Sequence, residues 1–329
     1  MGPPIELIIP AHNEELHIGT TLRSLHAQEL VGTDERYAVT VVANACSDQT
    51  AERAEETIST LTPRPELTYS VVEEATPGKN NAINSRLQKS DSKYFMYMDA
   101  DVVLSGRSLR RIAERLRRQG IMVSGALTRT VIPAEITTTG FGRLLRTWQL
   151  RHEIVQKPAA PTGRMMAFNR EAVRSLPTKT DVAEDRYVTL SVSRNFGRQA
   201  VCPTVGAYVY PNAPRTPEDF IAQQGRYVAG AEFLFRQYPV LRKVFKDIQA
   251  VQRREHPPMP RKEVYKELTR RALVEQIEPD RVRELYELDE VIKTEAKKML
   301  NDDVLALGGR WTPIRSTKIP AHIKSVLVT

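Results

Sequence analysis

The sequence predicts an α/β protein: a Rossmann-like, mostly parallel sheet flanked by helices, followed by a mainly helical C-terminal extension. Three observations carry this. Short apolar, β-branched runs alternate with amphipathic stretches through the first 130 or so of the 329 residues. Polar clusters recur directly after those runs, where a sheet of this class binds ligands. Beyond about residue 240 long amphipathic helices take over.

The elements follow in order. "IELIIP" (5–10) is a strand ended by proline, and "EELHIGTTLRSLHAQE" carries Ile18, Leu22 and Leu25 at helical spacing. "YAVTVVA" (37–43) is a β-branched strand, and "SDQTAERAEETIST" a helix capped by Ser47 or Asp48. "ELTYSVVE" is the third strand, "GKNNAINSRLQKS" a short helix and "KYFMYMD" the fourth strand. "GRSLRRIAERLRRQG" is a helix closed by Gly120, and "IMVSGAL" another strand. Residues 136–156 read as a helix, "TGRMMAFNREAV" as turn, strand and helix start, and "QAVCPTVGAYVY" as strand. "RTPEDFIAQQGRYVAGAEFLFRQY" is a helix with Thr216 as its cap and Pro217 in its first turn. In the extension, Val282, Leu285, Leu288, Ile292, Ala296 and Met299 form one apolar stripe, and "EHPPMP" (255–260) reads as a linker.

The bulk numbers bound the function. Hydrophobic content of 41% and charged content of 27% are those of a globular protein. No apolar run is long enough for a transmembrane helix, and the N-terminal stretch lacks the basic start of a secretory signal. Cys46 and Cys202 read as two buried thiols in a reducing compartment, so a cytoplasmic location is expected. The net charge of +8 favours acidic partners: nucleotide phosphates or an anionic membrane surface at which the protein sits peripherally. A solvated basic face explains it equally well. No zinc-finger spacing or aromatic–basic RNA motif is present, so no nucleic-acid partner is expected.

Four clusters carry chemistry. Asp99 and Asp101 close an apolar strand, where two carboxylates suit Mg²⁺ or Mn²⁺ with phosphate oxygens completing the shell. An Asp-x-Asp triplet arises by chance about once in such a chain, so its place at the strand end is what counts. The alternative is a pair of turn and capping residues. In "PGKNNAIN", Gly78 permits close backbone approach and Lys79 opens a helix, which suits an anion, although an exposed turn lysine reads the same. In "AEDRY", Glu184 and Asp185 follow turn-like residues, and an aspartate on a loop beside a metal suits a general base. Gln223, Arg226 and Tyr227 share one helix face, where a guanidinium suits phosphate or carboxylate.

Together, "IPAHNEE", "VVANACSDQTA", "GKNNAIN", "MDAD", "GRMMAF", "EDRY" and "QQGRY" resemble, in order and over residues 5–230, the family 2 nucleotide-sugar glycosyltransferases, inverting enzymes of the GT-A fold. The resemblance implies a GT-A catalytic domain over 1–230 and an extension over 231–329. It implies that Ala11, His12, Asn13 and Glu14 line the nucleotide pocket with Asn44, Asp48 and Lys79. Asp99 would meet the ribose side, and Asp101, with Asp99, the metal. Gly163, Arg164 and Met165 would shape the donor-sugar pocket. Asp185 would be the catalytic base with Glu184 beside it, and Gln223, Arg226 and Tyr227 would lie near the diphosphate and acceptor. The partners implied are a nucleotide-sugar donor, UDP-sugar before GDP-sugar, and an acceptor that is a lipid carrier, glycan, protein or small natural product. Ala43 and Asn44 stand where many members have acids, and Tyr227 replaces the signature tryptophan. The lack of membrane helices points to transfer of a single sugar.

Two other functions compete. A non-catalytic nucleotide-sugar binding protein would show neither donor hydrolysis nor transfer. A sugar-phosphate nucleotidyltransferase would want a glycine-rich basic loop after the first strand, where "PAHNEE" stands instead. The extension is read as a membrane dock or a homo-oligomer interface. Residues 307–318, with Trp311, are read as a lid or as an anchor for the tail.

Overall fold

A computed structural model describes residues 4–32, 35–155, 161–178, 183–255, 258–277 and 280–301. The expected lid at 307–318 lies outside them. The chain forms two compact units, Met1–Arg129 with Pro158–Pro211 and Thr130–Lys157 with Asn212–Thr329. Residue 230 falls inside a long helix of the second unit.

The first unit alternates strand and helix: β1 (Ile5–Ala11), α1 (Ile18–His26), β2 (Tyr37–Asn44), α2 (Thr50–Thr60), β3 (Leu67–Glu74), α3 (Lys79–Lys89), β4 (Tyr94–Met98), β5 (Val102–Leu104), α4 (Ser108–Leu116), β6 (Val123–Gly125) and β7 (Leu127–Thr128). After α5 (Gly140–Val155), which belongs to the second unit, come β8 (Met165–Asn169), α6 (Glu184–Phe196) and β9 (Tyr208–Pro211). The main sheet has the order β3-β2-β1-β4-β8-β6. β1 to β4 pair in parallel, and β8 runs antiparallel to both β4 and β6. β5, β9 and β7 make a second, three-stranded sheet.

Period-two alternation explains the apolar runs. In β1, Leu7 and Ile9 point into a core with Leu22 and Leu25 of α1 and Ile112 and Leu116 of α4. Ile8 points the other way, into a core with Ile83 and Leu87 of α3 and Val188 and Val192 of α6. β4 does the same, Met96 and Met98 on one face and Phe95 and Tyr97 on the other. Strands covered on both faces need continuous apolar sequence.

Three expectations need correction. α1 begins at Ile18, where its apolar pattern starts but later than the stretch read as helical, because Glu14 to His17 form a turn in which Glu14 O accepts from the amides of His17 and Ile18. No helix starts after β8; Asn84 instead pins the chain there, through bonds to both the amide and the carbonyl of Leu176. A thirteen-residue helix, α6, stands where none was expected. Its sequence, "EDRYVTLSVSRNF", is rich in residues of low helix propensity, so its apolar face against the sheet decides the outcome.

The second unit is helical: α5, α7 (Pro217–Gln237), α8 (Pro239–Glu255), α9 (Arg261–Val274) and α10 (Asp280–Asn301). Thr216 Oγ1 accepts from the Asp219 amide at 3.1 Å, the cap read from the sequence. The core draws on α5, α7, α9 and α10, including Phe220, Leu268, Leu285 and Leu288. No described helix is long and apolar enough to cross a membrane.

Candidate active site

The rim beyond the carboxyl ends of β1, β2 and β4 collects most of the candidate residues of the first unit. Each is set there by backbone geometry. β1 ends at Ala11, which is buried, and Asn13 takes a left-handed backbone (φ 55°) that turns the chain across the rim. Its Oδ1 accepts from the Ser47 amide at 2.8 Å, tying the β1 loop to the β2 loop. Exposed His12 donates from Nδ1 to the Asn44 carbonyl at 2.7 Å.

Asn44 is 3% exposed and is engaged by the protein itself. Its Nδ2 donates to the carbonyls of Thr76 (2.7 Å) and Glu74 (3.2 Å), and its Oδ1 accepts from the Gly78 amide at 2.7 Å. The side chain therefore shapes the wall that leads into α3. Asp48 is likewise anchored: Oδ1 accepts from the amide (3.1 Å) and hydroxyl (2.5 Å) of Thr50, and Oδ2 from the Glu15 amide (3.1 Å). Burial pushes its carboxyl up, but these bonds outweigh that and hold it below the usual range.

Lys79 is the hub. From the first position of α3 its ammonium donates to Asp99 Oδ1 (2.7 Å), Glu184 Oε1 (2.6 Å) and the Gly163 carbonyl (3.2 Å). It also lies 5.1 Å over the ring of Tyr97. Burial alone would lower its pKa; the two carboxylates override that and keep it charged. Glu184 is buried, and burial pushes its carboxyl up to about 7 despite the pull of Lys79, with Asp185 adding to the rise.

Asp185 sits in the first turn of α6, not on a loop as expected. The preceding residue, Ala183, is left-handed (φ 74°) and swings the chain into the helix. Asp185 Oδ1 accepts from the Arg186 amide at 2.7 Å, while a Cβ on Gly163 would stand 3.0 Å from Oδ2. Only glycine at 163 leaves that carboxylate its present position. Arg164 Nη1 stands 3.8 Å from both Asp99 Oδ2 and Asp101 Oδ1, so a guanidinium lies between the two aspartates. Met165 is fully buried in the core behind the sheet, so its side chain does not line the donor-sugar pocket expected of it.

The charge balance is uneven. Burial pushes Asp101 up, as does Asp99, and Arg164 offsets only part of this. Glu14 is pushed up to about 8, first by burial and then by Asp101, Asp99 and Asp48. Among the described residues, no group of three or more His, Cys, Asp or Glu is arranged to hold a metal by itself. Two hard carboxylates with excess negative charge around them do fit Mg²⁺ or Mn²⁺, which take one or two carboxylates and complete the shell with phosphate oxygens and water. Sequence reasoning missed Thr50, which accepts from the Glu14 amide at 2.7 Å, and Thr21, which donates to the Ala100 carbonyl at 2.7 Å. Neither carries a local signal.

Gln223, Arg226 and Tyr227 lie on α7 of the helical unit, the first two half-buried and Tyr227 51% exposed. Cys46 and Cys202 are free, half-buried thiols.

The family model for glycosyl transferase family 2 matches residues 6–176, and that for glycosyl transferase family group 2 matches residues 94–266, each more than half of the chain. The chain belongs to glycosyl transferase family 2. Its fold is GT-A, as in the mannosyltransferase PcManGT from Pyrobaculum calidifontis, solved with GDP-Man and Mn²⁺. That similarity has 16% identity and a TM-score of 0.60, over 92% of this chain and 88% of the other. Glucosyl-3-phosphoglycerate synthase from Mycobacterium tuberculosis, solved with Mn²⁺, UDP-Glc and phosphoglyceric acid, is also similar. It shows 19% identity and a TM-score of 0.47, over 70% of this chain and 78% of that one. No curated protein sequence matches the chain.

Proposed function

We propose that this glycosyltransferase is metal-dependent and inverting, and that it moves one sugar from a nucleotide-diphosphate sugar to an acceptor hydroxyl or amine. One observation carries the reading. Lys79 joins Asp99, Glu184 and the Gly163 carbonyl in one network at the strand ends, and the Asp185 carboxylate packs against that same Gly163. A general base next to a diphosphate site is what displacement at an anomeric carbon requires.

Lys79 and Arg164 would face the diphosphate oxygens, with Glu14 and Asp48 on the nucleotide side. A divalent cation held by Asp101 with Asp99 would supply Lewis-acid neutralisation of the leaving nucleoside diphosphate. Asp185 Oδ2 takes the proton from the acceptor as its oxygen or nitrogen bonds to the anomeric carbon. The bond from that carbon to the phosphate oxygen breaks on the opposite face, which inverts the centre. Glu184 holds Lys79 in place, and Asn44 holds the α3 entrance. PcManGT, solved with GDP-Man and Mn²⁺, supports a nucleotide sugar and a divalent ion as ligands. UDP-sugars and GDP-sugars are both to be screened.

The test is Asp185→Asn. Transfer is expected to fall by about 10²–10⁴-fold while the donor still raises the melting temperature. A normal transfer rate in the variant would overturn the base assignment. Absence of both hydrolysis and transfer in the native protein with every donor would replace the reading with a binding protein.

A further inference from the structure

α8 is a basic amphipathic helix that the core of its own unit leaves largely unused. Val240, Leu241, Val244, Phe245, Ile248 and Val251 fall on one stripe at helical spacing. Lys243 and Arg254 border the stripe on its Val240 side, with Asp247 between them and the stripe as the opposing charge, and Lys246 and Arg253 fall on the opposite face. Of the seventeen residues only Leu241 is buried. The core of the unit takes its buried side chains from α5, α7, α9 and α10, and none from α8. The helix is held to α7 on one flank: the rings of Phe245 and Phe235 stand 5.4 Å apart, and Arg242 pairs with Glu232 at 2.7 Å. The other flank of the stripe is open, with Val240 44% and Val251 39% exposed.

We propose that α8 is an interfacial helix that docks this protein on an anionic phospholipid surface. An apolar stripe bordered by cations matches the boundary between acyl chains and anionic headgroups, where the stripe is buried and the cations meet phosphate. The charge pattern disfavours a second copy of the chain as the occupant. A two-fold interface would set the cations of one α8 beside those of the other. Docking would put the transferase at the surface where a lipid-borne acceptor is presented.

The test is co-sedimentation of the full chain with vesicles of phosphatidylcholine alone and with 30 or so per cent phosphatidylglycerol. Binding is expected only to the anionic vesicles and to weaken as salt rises. Lys243→Ala with Lys246→Ala should lower the partition coefficient about thirtyfold, two lost surface charges. Val240→Asp with Val251→Asp should lower it about tenfold or more, with an unchanged melting temperature and rate toward a soluble acceptor. Native protein that stays in the supernatant with anionic vesicles overturns the proposal. So does a valine pair that binds like the native protein, or a dimer in solution that the valine pair dissolves.

Discussion

The two sides of the rim handle their negative charge differently. On one side Lys79 meets Asp99 and Glu184 at 2.7 and 2.6 Å, and the protein supplies its own cation in a tight, half-buried network. On the other side Glu14 and Asp101 face Asp99 and Asp48; the Arg164 guanidinium stands 3.8 Å from Asp99 and from Asp101, beyond hydrogen-bond distance, and His17 adds a weaker pull on Asp101. The first side is complete before any ligand arrives. Burial raises a carboxyl on each side, but Glu184 on the first is held by the Lys79 ammonium at 2.6 Å, whereas Glu14 and Asp101 on the second are raised further by neighbouring carboxylates, so added positive charge would relieve the second side more. Charge pairing and charge crowding thus lie at opposite ends of the same few residues.

The largest effect tests the crowded side. Asp101→Asn is expected to lower transfer by about 10²–10³-fold, the usual loss when one charge-stabilising group is removed. It should also abolish the extra thermal stabilisation that Mn²⁺ adds to a nucleoside diphosphate, without loss of stability in the ligand-free protein. A variant that keeps the Mn²⁺-dependent shift would break the contrast. Next comes the complete side. Lys79→Met leaves Asp99 and Glu184 without their cation, and urea denaturation should show a loss of about 3 kcal/mol. That is the lower end for a broken buried pair, because the Lys79 side chain is 25% exposed. A loss below about 1 kcal/mol would mean the network is no more than a surface pair.

Much of this was legible in the sequence where local pattern decides. The apolar runs of β1 and β4 within a strand–helix alternation implied a sheet covered on both faces, and the aspartates after Met98 fell at a strand end as read. Thr216 capped α7 as its spacing implied. What stayed hidden depends on contacts between distant segments. Lys79 and Glu184 are 105 positions apart, and nothing near either one announces the other. Arg164 was read as a pocket residue, but only the β4–β8 pairing brings it between Asp99 and Asp101. Met165, beside it, points into the core because successive strand residues face opposite sides. α6 was missed because tertiary packing overrides weak local propensity.

A smaller effect sharpens the charge argument through pH. Glu14 titrates at about 8 in the folded protein against an ordinary 4.5, so the folded state binds more protons than the unfolded one between those values. Stability from this group is full below about pH 4.5 and is lost as pH rises through 8. Glu14→Gln should remove that loss, leaving the ligand-free variant more stable than the native protein above pH 8. The difference is on the order of 2 kcal/mol once solvent at this half-buried group is allowed for. Melting temperatures across pH 5–9 provide the check, and parallel curves would place Glu14 outside the uncompensated group.

The smallest expected effect probes how finely the complete side is set. A Cβ at position 163 would stand 3.0 Å from Asp185 Oδ2 and 3.1 Å from its Cβ and Cγ, so Gly163→Ala makes the base give way by a few tenths of an ångström. Gly163 has no left-handed backbone in this structure, so the variant tests contact and not strain. The carbonyl that accepts from Lys79 belongs to the same residue, and the backbone that carries it can stay where it is. Displacement of a base by that much should lower kcat by several-fold, with KM for the donor nearly unchanged, because the shift falls on the acceptor's proton and not on the diphosphate. Equal losses in kcat and donor affinity would show instead that the methyl group has moved Lys79 or Arg164, and that base and donor side yield together.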